Sequence, residues 1–231
     1  VVGEFELGSH DIRSAMFGIN GGGERVYGAF NVSYFESEFD LSADDSAGSE
    51  DDLEEALSIN TRLAWQAMEN LQIGLSARHV GRETETDGFD FSGGPAQGLA
   101  IDDASLSDSE VSSLGLQVML QSLDARLVTR LSWQRTETEL DAKFFGDEGK
   151  RTRTALESRF DMNDRHSLTG FVEWEDEQFR NLYPFDPSQA GEQTRELFGY
   201  GVEYRAQLAD ATYANVSLRQ DDGDQFDDAT T

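Results

Sequence analysis

Hydrophobic and polar residues alternate with a period of two through most of the chain. The longest clean stretch is residues 112–139. There Leu114, Leu116, Val118 and Leu120 alternate with Gly115, Gln117, Met119 and Gln121. After a turn around Ser122–Asp124, Leu127, Thr129, Leu131 and Trp133 alternate with Arg126, Val128, Arg130, Ser132 and Gln134. Successive side chains of a strand point to opposite faces, so this pattern predicts two antiparallel strands joined by a tight turn. One face is aliphatic with a Trp near its end; the other carries Gln and Arg. Such a hairpin suits a bilayer with lipid on one side and a wet lumen on the other. It equally suits a half-exposed sheet of a soluble sandwich.

The same rhythm recurs along the chain. Residues 2–8 and 10–19 read as strands, and Gly21–Arg25 as a short turn rather than a phosphate loop, since no Gly-Lys follows at the required spacing. Val26, Gly28, Phe30, Val32 and Tyr34 mark one face of a third strand. Further alternating runs are Leu57–Trp65, Leu71–Ala77, Arg151–Phe160, Leu168–Trp174, Phe198–Tyr204 and Thr212–Leu218. Short turns fall at 68–70, 162–165 and 208–211, and long loops at about 37–55, 84–109, 140–149 and 181–193. About eleven strands result, with connections alternating short and long. Outer-membrane barrels keep short turns on one edge and long loops on the other, whereas sandwiches have no reason to. The expected fold class is therefore all-β: a segment of an antiparallel transmembrane β-barrel. Trp65, Trp133, Trp174, Tyr34 and Tyr204 are candidates for interfacial girdles, although strands collect aromatics in any setting.

Composition sharpens this picture. The chain has 231 residues, no cysteine, three prolines and 22 glycines. Disulfides and thiolate metal sites are excluded, and no apolar run approaches the ~20 residues of a membrane helix. The first residues lack the basic and apolar regions of a signal peptide and read as a strand under way. The last stop in mid-phrase, so a segment of a longer protein is expected. A net charge of −28 argues against nucleic acid as partner. The mean hydropathy of −0.56 does not exclude a membrane, because barrel strands are apolar at alternate positions only. Residues 36–55, 83–110 and 221–228 hold ten, eight and five of the 46 acids, which assigns the charge to loops.

No catalytic constellation stands out. His10, His79 and His166 lie in separate hairpins and read as ordinary strand or turn residues. Glu173 and Glu175 share a polar face and read as wall residues facing Arg rather than as a glycosidase pair. Arg62, Arg78, Arg126, Arg130, Arg153, Arg159, Arg205 and Arg219 all fall on polar faces.

The end of the chain, Arg219-Gln-Asp-Asp-Gly-Asp-Gln-Phe226 after Ala-Asn-Val-Ser-Leu, resembles a phrase of TonB-dependent outer-membrane receptors of the vitamin B12 (cobalamin) type. Asp227 stands where Gly is usual. Gly-Ser-His-Asp-Ile-Arg-Ser, the Gly-Gly-Gly-Glu-Arg turn and Gly-Ala-Phe-Asn-Val-Ser-Tyr resemble that family's first barrel hairpins. The resemblance spans the whole chain. It implies a 22-stranded barrel of which residues 1–231 are roughly the first half, in the bacterial outer membrane, with the plug and the segment engaging the TonB complex outside this sequence. It further implies import of a small nutrient chelate, cobalamin-like or a siderophore, and no enzymatic role. In such a barrel Arg62, Arg78, Arg126, Arg130, Arg159 and Arg205 face the plug or the lumen, where bidentate pairing with carboxylates suits holding a plug. Phe144, Phe145, Tyr183 and Phe185 are candidates for ligand contact, or for capping loop against loop. Asp40, Asp44, Asp45, Asp51, Asp52, Asp87 and Asp90 are candidate calcium ligands, since calcium takes six to eight oxygens in flexible geometry; the receptors resembled use Asp from early external loops in this way. The alternatives are a solvated acidic surface and, for the chain as a whole, a soluble calcium-binding adhesin-like β domain.

Overall fold

Each strand pairs with its sequence neighbours in one antiparallel sheet, in the order of the chain. The strands are β1 Val2–Leu7, β2 Arg13–Gly22, β3 Val26–Phe39, β4 Asp52–Met68, β5 Leu71–Phe89 and β6 Ala100–Ser122. They continue with β7 Leu127–Ala142, β8 Phe145–Asn163, β9 His166–Asn181, β10 Glu192–Ala209, β11 Thr212–Gly223 and the two-residue β12 Ala229–Thr230. This computed structural model describes residues 1–9, 11–39, 52–89, 93–94, 97–98, 100–143, 145–184, 191–224 and 229–230. The expected all-β fold with about eleven strands holds: eleven are six residues or longer.

Among the described residues the sheet has no facing layer. Among the described residues the buried apolar side chains are Ala142 and Ala206 alone. A sandwich stabilises each apolar face with a second sheet, and here one face stays open. That face carries an unbroken register row, Val26, Trp65, Ile73, Val118, Leu131, Leu156, Val172 and Tyr200, crossing β3 to β10. The row above it holds Gly28, Leu63, Leu75, Leu116, Trp133, Thr154, Trp174 and Phe198.

Strand lengths correct the loop assignments. A tilted bilayer crossing takes about 9–11 residues, whereas β5 has 19 and β6 has 23. The apolar rows sit close to the short turns, so the excess length lies toward the other edge. There both faces are polar and alternation vanishes, although the backbone ladder continues. Glu36, Glu38, Glu54, Glu55, Glu83, Glu85, Asp108 and Glu110 therefore stand on strands, not in loops. The connections 40–51, 90–99 and 182–191 are long, but within the expected loop at 140–149 β7 runs on to Ala142 and β8 already begins at Phe145. The alternation of short and long is thus kept on the short-turn edge and broken on the other between β7 and β8, where the strand ends are two residues apart.

Three strands bulge just before their short turns, at Gln66/Met68, Asp161/Asn163 and Gln207/Ala209. A bulge leaves backbone groups without ladder partners, and side chains supply them. Gln66 Nε2 donates to the Met68 carbonyl at 2.8 Å, and Arg126 Nη2 donates to the Met162 carbonyl at 2.6 Å. The central hairpin turns at Leu123–Arg126 rather than at Ser122–Asp124. Leu123, Asp124 and Ala125 have φ of 52°, 54° and 64°, a left-handed run without glycine. Left-handed backbone costs about 1–2 kcal/mol per L-residue with a Cβ. Ala125→Gly is therefore expected to stabilise the hairpin by about 1 kcal/mol, read as a higher midpoint of heat-induced unfolding in detergent; an unchanged or lower midpoint contradicts this account of the turn.

Candidate functional site

The polar face is concave. One trough of about 640 Å³ is lined by Arg62, Gln72, Gln117, Arg130, Arg153 and Phe171, which come from six consecutive strands, β4 to β9. Side chains of one face can share a trough across six strands only if the sheet curls toward them.

Ion pairs cross this face from β8 to β11. Arg151 donates to Glu175 at 2.5 Å and lies 3.4 Å from Glu177, which is also bound by Arg195. Arg153 pairs with Glu173, and Arg219 stands 3.8 Å from Glu173 and 2.7 Å from Asp221. Glu175 is 5% exposed, a buried carboxylate whose cost is offset by Arg151. The Arg219 guanidinium also lies 5.4 Å over the Phe171 ring, a cation–π contact. Gly201 permits this arrangement: a Cβ there would meet the Phe171 ring at 2.7 Å.

Arg62, Arg78, Arg130, Arg159 and Arg205 project from the concave face by strand register. Arg130 lies 3.6 Å from Glu157, Arg159 2.9 Å from Asp161, and Arg205 pairs with Glu203. Arg126 does not share this placement. It stands in the β6–β7 turn, donates Nε to the Asp161 carbonyl at 3.0 Å, and lies 5.3 Å over the Phe160 ring on the apolar face.

The aromatic candidates are partly placed. Phe144 and Phe185 fall outside the described residues. Phe145 opens β8 and is exposed. The Tyr183 hydroxyl donates to Asp141 Oδ1 at 2.7 Å, and the Leu182 amide donates to the Gly146 carbonyl at 2.9 Å. The start of the 182–191 connection is thereby fastened onto the β7–β8 turn. Gly146 allows the approach, since a Cβ there would lie 2.6 Å from the Leu140 carbonyl and 3.1 Å from the Tyr183 ring. The hydrogen bond to Asp141 raises the Tyr183 phenol above its ordinary range, which keeps the donor proton in place.

Of the calcium candidates, Asp40, Asp44, Asp45, Asp51 and Asp90 fall outside the described residues. Asp52 and Asp87 are placed by backbone at the ends of β4 and β5. No cluster of three His, Asp or Glu with metal-holding geometry occurs among the described residues. His79 Nδ1 is 2.9 Å from Ser112 Oγ and His166 Nδ1 is 2.7 Å from Tyr204 Oη, so both serve local hydrogen bonds; His10 is not among the described residues.

One arrangement escaped sequence reasoning because it depends on register. Glu36, Glu55, Glu83, Asp108 and Asp141 are successive cross-strand partners on the outward face of β3 to β7. The signal was the density of acids, which strand pairing turns into a row.

No protein-family signature and no curated protein sequence matches the chain. Solved structures do match its fold. The siderophore receptor PirA from Acinetobacter baumannii superposes with a TM-score of 0.71 at 17% identity, over 99% of this chain and 38% of that one. The ferric-catecholate import receptor Fiu from Escherichia coli K12 gives 0.72 at 13% identity, over 96% and 40%. A mutant of the ferric enterobactin receptor PfeA from Pseudomonas aeruginosa gives 0.68 at 12% identity, over 99% and 39%. The chain thus spans about two fifths of these receptors, and at such identities the likeness shows the fold alone.

The ion-pair geometry predicts unequal costs. Arg151→Ala leaves the buried Glu175 without its nearest cation and is expected to destabilise the wall by about 1–3 kcal/mol. Arg135→Ala removes a pair with Glu137 whose side chains are both about half exposed, worth about 0–1 kcal/mol. Unfolding midpoints in detergent that rank the two variants equally would contradict this.

Proposed function

We propose that the chain is part of the wall of an outer-membrane receptor that imports a scarce nutrient chelate with energy passed through TonB. The carrying observation is the apolar register row from Val26 to Tyr200, open to the surroundings on a single sheet whose other face is concave and ionic. Lipid contacts the open face and a wetted lumen fills the other. In this reading residues 1–231 are one portion of a larger barrel, and a plug lies in further sequence of the same protein. Arg62, Arg78, Arg130, Arg159 and Arg205 contact that plug or the lumen. The names of the superposing receptors support an iron siderophore as cargo, and the resemblance at Arg219–Phe226 supports a cobalamin-like one. The exposed edge near Phe145 and Tyr183 is where the chelate first meets the wall.

Deleting the gene is expected to abolish TonB-dependent uptake of either radiolabelled ferric catecholate or cobalamin, and Tyr183→Ala with Phe185→Ala to weaken it at unchanged receptor abundance. Leu131→Arg, in the middle of the apolar row, is expected to cost about 2–4 kcal/mol and lower abundance in the outer membrane. Normal assembly of that variant would remove the lipid-facing assignment; intact uptake of both chelates in the deletion strain would remove the import assignment.

Calcium completes the proposal. The 40–51 and 90–99 connections emerge at the same edge of the sheet, so Asp40, Asp44, Asp45, Asp51, Asp52, Asp87 and Asp90 can supply oxygens from two loops to one flexible site. Calcium is expected to protect these loops from protease in the full receptor, and Asn at 44, 45, 51 and 52 to abolish the protection. Equal cleavage with calcium and with chelator would end this part of the proposal.

A further inference from the structure

The concave face is divided by charge. From β8 to β11, Arg151, Arg153, Arg159, Arg195, Arg205 and Arg219 each face an acid. Among the inward side chains described from β2 to β7, Glu54 is an acid, and Arg82 binds it. Arg62 and Arg78 have no ion-pair or hydrogen-bond partner among the described residues. In a chain of net charge −28 two unmatched cations on one surface call for a cause.

Register places these two side by side. Arg62 lies opposite Ser76, and Arg78 opposite Asn60, so the two arginines are diagonal neighbours on β4 and β5, about 7–8 Å apart at the backbone. Asn31 pairs with Asn60 from β3. Together with Tyr27 these residues line a trough of about 430 Å³, within the ~300–1,000 Å³ of small-molecule sites. Its polar groups are two guanidinium forks, two amides and hydroxyls, with no carboxylate among them. Neighbouring like charges disfavour each other, and an anion bridging both relieves that repulsion. Guanidinium forks match the paired oxygens of carboxylate and phosphate.

We infer that this trough is an oxyanion-binding station on the inner wall, taking the carboxylate or phosphate-type oxygens of a small solute that moves along the lumen. It rests on the proposed import function for the lumen and the passing solute. The neighbouring half, β8 to β11, is neutralised by its own pairs and serves as structure. An anionic cargo is then held on one side of the wall only.

The chain has no cysteine, so Ser76→Cys in the full-length receptor, cleared of any other reactive thiol, reports on the trough directly. In isolated outer membranes its labelling rate is compared for an anionic and a cationic methanethiosulfonate. A groove lined by one sign of charge raises on-rates of the opposite ion by about 10–1,000-fold. The anion-to-cation rate ratio is expected to fall about tenfold when Arg62→Gln and Arg78→Gln are added. Inorganic phosphate at constant ionic strength should slow labelling in the first protein and not in the second. Arg62→Lys with Arg78→Lys, which retains the charge but not the forks, should keep the ratio and lose phosphate protection. If the Gln variant fails to assemble, the Lys variant and phosphate protection decide. A ratio insensitive to both arginines overturns the station. A thiol inert to both reagents does so too, because it means that a polypeptide covers the trough. Uptake does not enter this assay, so failure here is distinct from failure of the import function.

Discussion

Backbone pairing is the constraint on which the rest of this structure depends. β3 to β10 are each hydrogen-bonded along both sides, and β11 joins β12 over two residue pairs, so most peptide groups of β3 to β10 are used within the sheet. A buried unpaired amide or carbonyl is costly anywhere and most of all in hydrocarbon. The ladder fixes the pleat, and the pleat sends alternate side chains to two faces. All further chemistry is a choice of what each face carries. Even the bulges obey the constraint, since Gln66 and Arg126 donate to carbonyls near the freed ones.

The two faces are stabilised differently. A sheet with almost no buried apolar side chain does not derive its stability from a core of its own. The row from Val26 to Tyr200 needs an apolar surrounding. The concave face is stabilised by ion pairs, most of them half exposed and individually weak. Arg151 and Glu175 are the exception, because burial makes that pair costly to break. Such a wall is stiff where β8 to β11 lock together and chemically open where β4 and β5 leave cations unmatched.

Much of this was legible in the sequence, for a physical reason. Leu116, Leu131 and Trp133 lie where one face is apolar and the other wet, so the strand period is visible in residue type. Glu83 and Glu110 lie where both faces are wet; the period leaves no mark there, and composition alone predicts loops. The sequence predicts a loop of ten at 140–149 because Phe144, Phe145 and Gly146 carry no alternation. Arg126 falls on the polar phase of its strand by counting, but the left-handed run at Leu123–Ala125 turns it toward Phe160. The charge division of the concave face was not legible, since partnership depends on register. Arg153 and Arg62 look alike in sequence, and only the first has an acid across the ladder.

The outward row Glu36, Glu55, Glu83, Asp108 and Asp141 has one more consequence. Direct cross-strand neighbours sit about 4.5–5.5 Å apart. At ~0.15 M salt the screening length is about 8 Å, longer than that gap, and at ~1 M it is about 3 Å, shorter. Arg13 pairs with Glu36 at 3.1 Å, and the four carboxylates that follow repel across β4 to β7 more in dilute water than in brine. The cohesion of the extended upper part of the sheet therefore depends on the salt concentration around it.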